Sequence, residues 1–126
     1  MPSSCRFDKR YRLADAKAYS RVFARPGRSV DQHFTVLWRA NGLNRGRLGL
    51  AIAKKSLRLA VDRNRVKRIV RESFRHRQHD FVGVDIVVLS RNGVARAKPE
   101  MLWDSLEKHW MRVAGSASGA DSFPNR

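Results

Sequence analysis

The residues best suited to chemistry in this chain form a row of cations between positions 64 and 75. At 100° per residue they share one face of a predicted helix, spaced three or four positions apart, with Glu72 at the edge and Asp62 in the opening turn. Guanidinium groups in such a row repel one another unless an anion lies alongside, and phosphates accept bidentate hydrogen bonds from them. A solvated helix face normally mixes charges of both signs, so the pattern favours contact with a phosphate backbone. The cations of the row are Lys67, Arg68, Arg71 and Arg75, and the neutral Asn64 lies in the same band.

Catalysis by the protein's own side chains has little support in the sequence. His76 and His79 are three positions apart, but one distant cysteine and the adjacent Asp80 do not complete a zinc site. No two carboxylates have a spacing typical of acid–base catalysis. The sequence leaves open whether the fold brings His33 and His109 together. We expect no catalytic residue and no metal ligand in the protein.

The composition supports a polyanionic partner. The 126 residues include 27 Lys and Arg against 11 Asp and Glu, a net charge of +16, and 42% are hydrophobic, which suffices for one compact domain. Such a charge opposes compaction unless a polyanion neutralises it. No apolar run approaches the roughly 20 residues that span a bilayer, and the first residues lack the apolar stretch of a secretory signal. A single cysteine is compatible with the reducing cytoplasm, where we expect the protein.

The elements that must position this row follow from the hydrophobic pattern. Asp15 can cap a first helix that ends at Pro26-Gly27. A weakly indicated strand at 29–32 and an alternating strand from Phe34 to Arg39 follow. The turn residues Asn41-Gly42 then precede a returning strand at 47–52.

The second half of the chain has clearer periodicity. A helix is predicted over about 60–78, an interior strand over 84–90, and a last helix from Lys98-Pro99. The resulting order is α-β-β-β-α-β-α, an α+β domain with helices packed on a four-stranded sheet. We expect a flexible basic arm at 1–12, the domain at 13–114 and a disordered tail at 115–126.

RNA fits this arrangement better than DNA. No second reading helix of a helix-turn-helix motif is present, whereas a cleft between helix and sheet suits single-stranded RNA whose bases stack on aromatic rings. Tyr19, Phe23 and Phe34 could form such a platform, although aromatic residues at these spacings are often part of a core. Lys54 and Lys55 end a strand close to the central helix.

Around Arg63-Asn64-Arg65 the chain resembles the protein subunit of bacterial ribonuclease P. The resemblance covers about residues 11–113 in order. It includes the following segments: Arg12-Leu13, Val22-Phe23, Arg47-Leu-Gly-Leu-Ala-Ile-Ala-Lys-Lys55, Arg63 to Arg68, Arg71-Glu-Ser-Phe-Arg75, Asp85-Ile-Val-Val and Leu106-Glu-Lys-His-Trp110.

The resemblance implies a non-catalytic subunit that assists a catalytic RNA in removing the 5′ leader of precursor tRNA. The RNA, with magnesium ions, performs the hydrolysis, and one protein binds each RNA. The fold would be a ribosomal-protein-like α/β sandwich whose third and fourth strands are joined by a left-handed crossover. The residues that it implies for the catalytic RNA are Arg63, Asn64, Arg65, Lys67, Arg68, Arg71 and Arg75. Those that it implies for the leader are Tyr19, Phe23, Phe34, Lys54 and Lys55.

Two alternatives remain open from the residues alone. A ribosomal or general RNA-binding protein would share the composition but not the ordered series of motifs. A nuclease acting without RNA would cleave precursor tRNA on its own. Leu37 also departs from relatives that carry an aromatic residue there, so we expect no stacking at that strand position.

Overall fold

The computed structural model describes residues 11–13 and 16–118, which form three α-helices, four β-strands and two short 3-10 helices. The predicted order and the α+β class are confirmed. None of the described helices combines the length and hydropathy needed to cross a membrane. In chain order the elements are α1 (Ala16–Ala24), β1 (Gly27–Val30), β2 (Phe34–Ala40), β3 (Arg47–Ala51), α2 (Ala60–Arg77), β4 (Val84–Ser90) and α3 (Pro99–Ser118).

Both predicted domain boundaries need correction. Helix α3 continues to Ser118, so the tail predicted at 115–126 begins too early; glycine and serine weaken a helix without ending it, and no proline follows until Pro124. At the other end, Arg12 forms a parallel bridge with Leu48, so the arm predicted at 1–12 does not extend that far. The rest of that arm, and the predicted cap Asp15, lie outside the described residues.

The sheet order is β1-β2-β4-β3, with β4 antiparallel to β2 and parallel to β3. The returning strand predicted after Asn41-Gly42 is therefore not a neighbour of β2, because β4 lies between them. Strand β4 is buried on both faces from Val84 to Val88, as its continuous apolar run predicts.

The helices cover the two faces of the sheet unequally. On one face, α2 and α3 pack on the side chains of β2, β3 and β4 that face them, and Trp110 and Phe74 are fully buried there. On the other face, α1 is the only described helix that covers the sheet, through Ala18 and Val22 against Leu37 and Val87. One short helix cannot cover four strands, so part of this face remains accessible.

The turn after β2 is tied to the centre of the sheet by polar side chains. Gly42 has a φ of 72°, and the Asn41 Oδ1 atom accepts from the Leu43 N–H at 2.7 Å. The Asn41 amide donates to the Asp85 Oδ1 atom at 2.8 Å, and the Arg47 guanidinium binds the same carboxylate through two contacts of 2.8 Å. This cluster fixes the distance between β2 and β3 across β4.

A second polar cluster fastens α3 to the β1–β2 turn. The Ser29 Oγ atom lies 2.7 Å from the His109 Nδ1 atom, and the His109 Nε2 atom lies 3.2 Å from Asp31. Asp31 also accepts from the Ser105 hydroxyl and from the N–H groups of residues 33 and 34. Burial favours neutral His109 by lowering its pKa.

Asp31 should make the stability of the fold depend on pH in the acid range. Burial by itself would raise the pKa of Asp31, but the hydrogen bonds from Ser105, Phe34 and His33 outweigh it and lower the pKa from 3.8 to about 2. Ionised Asp31 therefore stabilises the fold above about pH 4, and this contribution is lost as the pH falls towards 2. In urea unfolding, Asp31→Asn should be less stable than the natural chain at pH 6, and the difference should shrink below pH 4. A difference that stays constant down to pH 2 would contradict this assignment.

Candidate nucleic-acid interface

The exposed side of α2 carries the cations that its sequence pattern predicts. Val66, Val70 and Phe74 are buried against the core, which turns the opposite side of the helix outward. Within the described part of the chain, no ion pair joins a carboxylate to the three central cations of that side. We call the residues on this side the α2 cationic face: Asn64, Lys67, Arg68 and Arg71.

The predicted row is shorter at its C-terminal end. Arg75 hydrogen-bonds to Glu72, one turn back on the same helix, so its charge is locally matched. Arg77 likewise bonds to Glu107 of α3 and to Asp80. Positive charge without a carboxylate partner is therefore concentrated in the first two-thirds of α2.

Two arginines beside the start of this face have different environments. Arg63 donates to the carbonyl oxygens of Leu57 and Arg58, both at 2.9 Å, and so fastens the loop after β3 to the start of α2. Arg65 is largely exposed and lies 3.4 Å from Asp62. An exposed pair at this distance is weak, so the Arg65 guanidinium can leave Asp62 and bind a phosphate. The Arg63 guanidinium is already occupied by its two backbone hydrogen bonds.

The uncovered part of the α1 side of the sheet forms an open cleft. Strand register aligns Val30, Thr35, Leu89 and Ala51 in one row across all four strands, and each of them is at least partly accessible. Phe23, near the end of α1, is 46% exposed. We call this row together with Phe23 the open cleft. Its floor is apolar except for the Thr35 hydroxyl, and its helix side offers an aromatic ring.

Cations border the cleft where β3 and β4 end. Because these strands are parallel, their carboxyl ends meet at one edge of the sheet, so exposed Lys54 and Lys55 lie near exposed Arg91. Lys55 and Arg91 line the same surface depression there, together with Ser56 and Asn92. A strand of RNA lying in the open cleft would meet positive charge at this edge.

A narrower groove follows the outer edge of β3 between α1 and α2. Its cavity has a volume of about 170 Å³. We call it the β3-edge groove, and the residues that line it are Arg12, Leu13, Tyr19, Leu48, Gly49, Leu50, Lys67 and Arg71. The ring of Tyr19 lies on Gly49, where an added Cβ atom would be 2.5 Å from the tyrosine hydroxyl. Tyr19 thus presents its hydroxyl to this groove.

One predicted leader contact is wrong. Phe34 has no exposed surface; it lies on the side of the sheet covered by α2 and α3, with its ring edge-to-face against His109 at 6.4 Å. The alternation of side chains along β2 identifies the two faces of the strand, but it does not show which face α2 and α3 cover. Leu37, on the other face, is buried under α1.

The histidines do not form an accessible pair for cleaving RNA. His33 and His109 are both buried, at 7% and 0% exposure. His76 is exposed beside Trp103 and 4.0 Å from Glu72. Among the described residues, no three His, Cys, Asp or Glu side chains are grouped closely enough to hold a metal ion.

Comparison with known proteins identifies the family. The family model described as Ribonuclease P matches residues 7–114. The chain belongs to the ribonuclease P protein family. Among its relatives, the ribonuclease P protein component of Methylococcus capsulatus is 44% identical over 116 residues, 92% of this chain and 91% of that protein. The ribonuclease P protein component of Pseudomonas aeruginosa is 45% identical over 108 residues, 85% and 80% of the two chains.

Solved structures of the ribonuclease P protein family have the same fold. The RNase P protein of Staphylococcus aureus superimposes with a TM-score of 0.75 at 28% identity, covering 82% of this chain and 94% of that one. The four-stranded sheet and the helices packed on it therefore form a fold that is shared within the ribonuclease P protein family.

Sequence reasoning missed two residues of this surface. Arg91 follows β4 directly, but its place beside Lys55 depends on the parallel pairing of β3 with β4. The sequence predicts a flexible arm that includes Arg12, whereas Arg12 lines the β3-edge groove with Lys67 and Arg71. The available indication that Arg12 is held close to the sheet was the neighbouring Leu13, an apolar residue that is buried.

Proposed function

We propose that this chain, a protein subunit of ribonuclease P, binds the catalytic RNA through the α2 cationic face and the 5′ leader of precursor tRNA through the open cleft. The observation that carries the first assignment is the row Lys67, Arg68 and Arg71, which no described carboxylate neutralises. Arg65 extends the row, and Arg63 supports it through the loop before α2. Arg75 is not among these primary contacts, because Glu72 matches its charge.

The leader assignment rests on the shape and chemistry of the open cleft. Single-stranded RNA is bound by rings that stack on its bases and by cations that follow its backbone. Phe23 offers an exposed ring, while Lys54, Lys55 and Arg91 supply positive charge where the cleft reaches the edge of the sheet. Such contacts tolerate many sequences, as a subunit that acts on different precursor tRNAs requires.

The chemical step is assigned to the RNA. Magnesium ions of the RNA-containing holoenzyme would activate the attacking water and stabilise charge on the phosphate. The protein's own residues neutralise RNA phosphates and hold the leader beside the catalytic RNA, which reduces the entropy lost on substrate binding. We further propose one protein per catalytic RNA and a location in the cytoplasm.

The division of labour can be tested with purified components. The protein alone should leave precursor tRNA intact, and addition of the cognate catalytic RNA should give cleavage at the mature 5′ end at low magnesium concentration. The RNA alone at the same magnesium concentration is the control and should cleave more slowly. Cleavage by RNA-free protein would contradict the proposal, and co-purification with ribosomal subunits without any gain in processing would favour a general RNA-binding protein.

Phe23→Ala should weaken binding of leader-bearing precursor tRNA by the protein–RNA complex by about 1–3 kcal/mol if a base stacks on the ring. Phe23 is half-exposed, so its removal should lower the free energy of unfolding by only about 1 kcal/mol. Phe23→Leu keeps an apolar side chain without the ring and separates stacking from simple apolar contact.

The matched substrate control is a tRNA without a leader. Its affinity for the complex should be the same for the natural chain and for Phe23→Ala. If Phe23→Ala loses the same affinity for substrates with and without a leader, the ring lies outside the leader site. If Phe23→Ala is unfolded in the urea experiment, Phe23 is a core residue.

A further inference from the structure

The β3-edge groove connects the two proposed RNA surfaces. Its α1 side is formed by Tyr19, whose helix also carries Phe23 of the open cleft. Its α2 side is formed by Lys67 and Arg71, which belong to the α2 cationic face. Any group bound in the groove would therefore contact both helices at once.

The groove is strongly cationic. None of the described residues that line it is acidic, whereas three carry a positive charge. Burial and the positive charge of Arg12 both lower the pKa of Arg71. Like charges held together in a partly desolvated groove are stabilised by a bound anion.

The Tyr19 hydroxyl adds a neutral donor to these cations. It makes no hydrogen bond to another described residue. Glycine at position 49 is what allows the ring to lie on β3, because a Cβ atom there would clash with the hydroxyl at 2.5 Å. A donor held in place beside two cations matches the acceptor oxygens of a phosphate.

The size of the cavity favours a small anion. A volume of about 170 Å³ corresponds to roughly six water molecules at about 30 Å³ each. This is enough for one phosphate group and too little for a segment of folded protein. On an RNA-binding surface the abundant group of that size and charge is the phosphodiester.

We propose that the β3-edge groove binds a single RNA phosphodiester, with Lys67 and Arg71 as its cations and the Tyr19 hydroxyl as a hydrogen-bond donor. This inference rests on the proposed function and adds a defined phosphate site between its two surfaces. The phosphate belongs either to the catalytic RNA or to the leader, and both sources present the same chemistry. In either case it links the position of α1 to that of α2 when RNA is bound.

Inorganic phosphate tests the site directly. In a titration of the full chain followed by amide NMR, the Gly49 and Arg71 signals should shift with saturation. Tyr19→Phe keeps the ring but removes the donor, and should raise the phosphate concentration for half-saturation about tenfold, the effect of one hydrogen bond to a charged group. Tyr11→Phe, at the only other tyrosine of the chain, should leave the titration unchanged. The proposal is overturned if Tyr19→Phe and the natural chain saturate alike.

Binding experiments with the assembled complex identify the source of the phosphate. If it comes from the catalytic RNA, Tyr19→Phe should weaken the protein–RNA complex about tenfold. If it comes from the leader, that complex should be unaffected, and only leader-bearing precursor tRNA should bind more weakly. No change in either affinity would overturn the proposal.

Arg68→Gln separates this proposal from the proposed function. Arg68 belongs to the α2 cationic face but does not line the groove. Arg68→Gln should weaken binding of the catalytic RNA while leaving the phosphate shifts of Gly49 in place. If Arg68→Gln weakens RNA binding but Tyr19→Phe changes nothing, the groove proposal fails and the proposed function stands.

Discussion

Replacing Lys67, Arg68 and Arg71 together with glutamine is expected to weaken binding of the catalytic RNA by at least about 100-fold, or about 2.8 kcal/mol. Each lost phosphate contact costs about 1–3 kcal/mol, so even the lower limit for three contacts gives this result. The dependence of log K on log salt concentration should become shallower by about three, one for each contact. Fluorescence anisotropy with the full-length catalytic RNA over a range of salt concentrations measures both quantities.

The matched control removes the same amount of charge elsewhere. Arg96, Lys98 and Lys108 are exposed cations in and just before α3, outside the α2 cationic face and the open cleft. Their joint replacement with glutamine lowers the net charge equally but should change the affinity far less. If the two triple variants lose affinity equally, binding depends on total charge, and the assignment to the α2 cationic face is wrong.

Asp85→Ala is expected to lower the free energy of unfolding by about 3 kcal/mol, the lower end of what is found when one partner of a buried ion pair is removed. Asp85 is 2% exposed and accepts hydrogen bonds from Arg47 and Asn41. Its removal leaves a guanidinium and an amide in the interior of the sheet without that acceptor. Urea unfolding at pH 7 measures the change through the midpoint.

Asp85→Asn provides the control for this prediction. It keeps one acceptor oxygen for Arg47 but removes the negative charge. Its free energy of unfolding should therefore lie between that of the natural chain and that of Asp85→Ala. A loss below about 1 kcal/mol for Asp85→Ala would show that Arg47 and Asn41 find other acceptors or water.

Local patterns predicted the elements, whereas their arrangement in space needed the structure. The helical spacing of Val66, Val70 and Phe74 places the cations of α2 outward without further information. The position of β4 between β2 and β3 could not be predicted in this way, because Asn41-Gly42 suggests a simple hairpin and the pairing depends on a crossover through α2. The same long-range pairing brings Arg91 to Lys55.

The candidate site shows the same division at the level of single side chains. The sequence positions of Phe23 and Phe34 are both compatible with a stacking surface. In the structure α3 covers Phe34, whereas Phe23 lies on the other side of the sheet and is exposed. The hydrogen-bond partner of each arginine depends on which oxygen its guanidinium reaches. Arg63 reaches the Leu57 carbonyl oxygen, and Arg75 reaches the Glu72 carboxylate. Periodicity gives the direction of a side chain but not its partner.

The central position of β4 has a consequence for the order in which the molecule can fold. Val87 completes the surface on which α1 lies, and Ile86 and Val88 complete the one on which α3 lies, yet all three residues are synthesised after α2. A nascent chain that ends before β4 lacks the strand that joins β2 to β3, so its apolar side chains have no complete core to enter. Such distant pairings make folding slow. The sheet side of the RNA-binding surface therefore cannot be complete until β4 has left the ribosome.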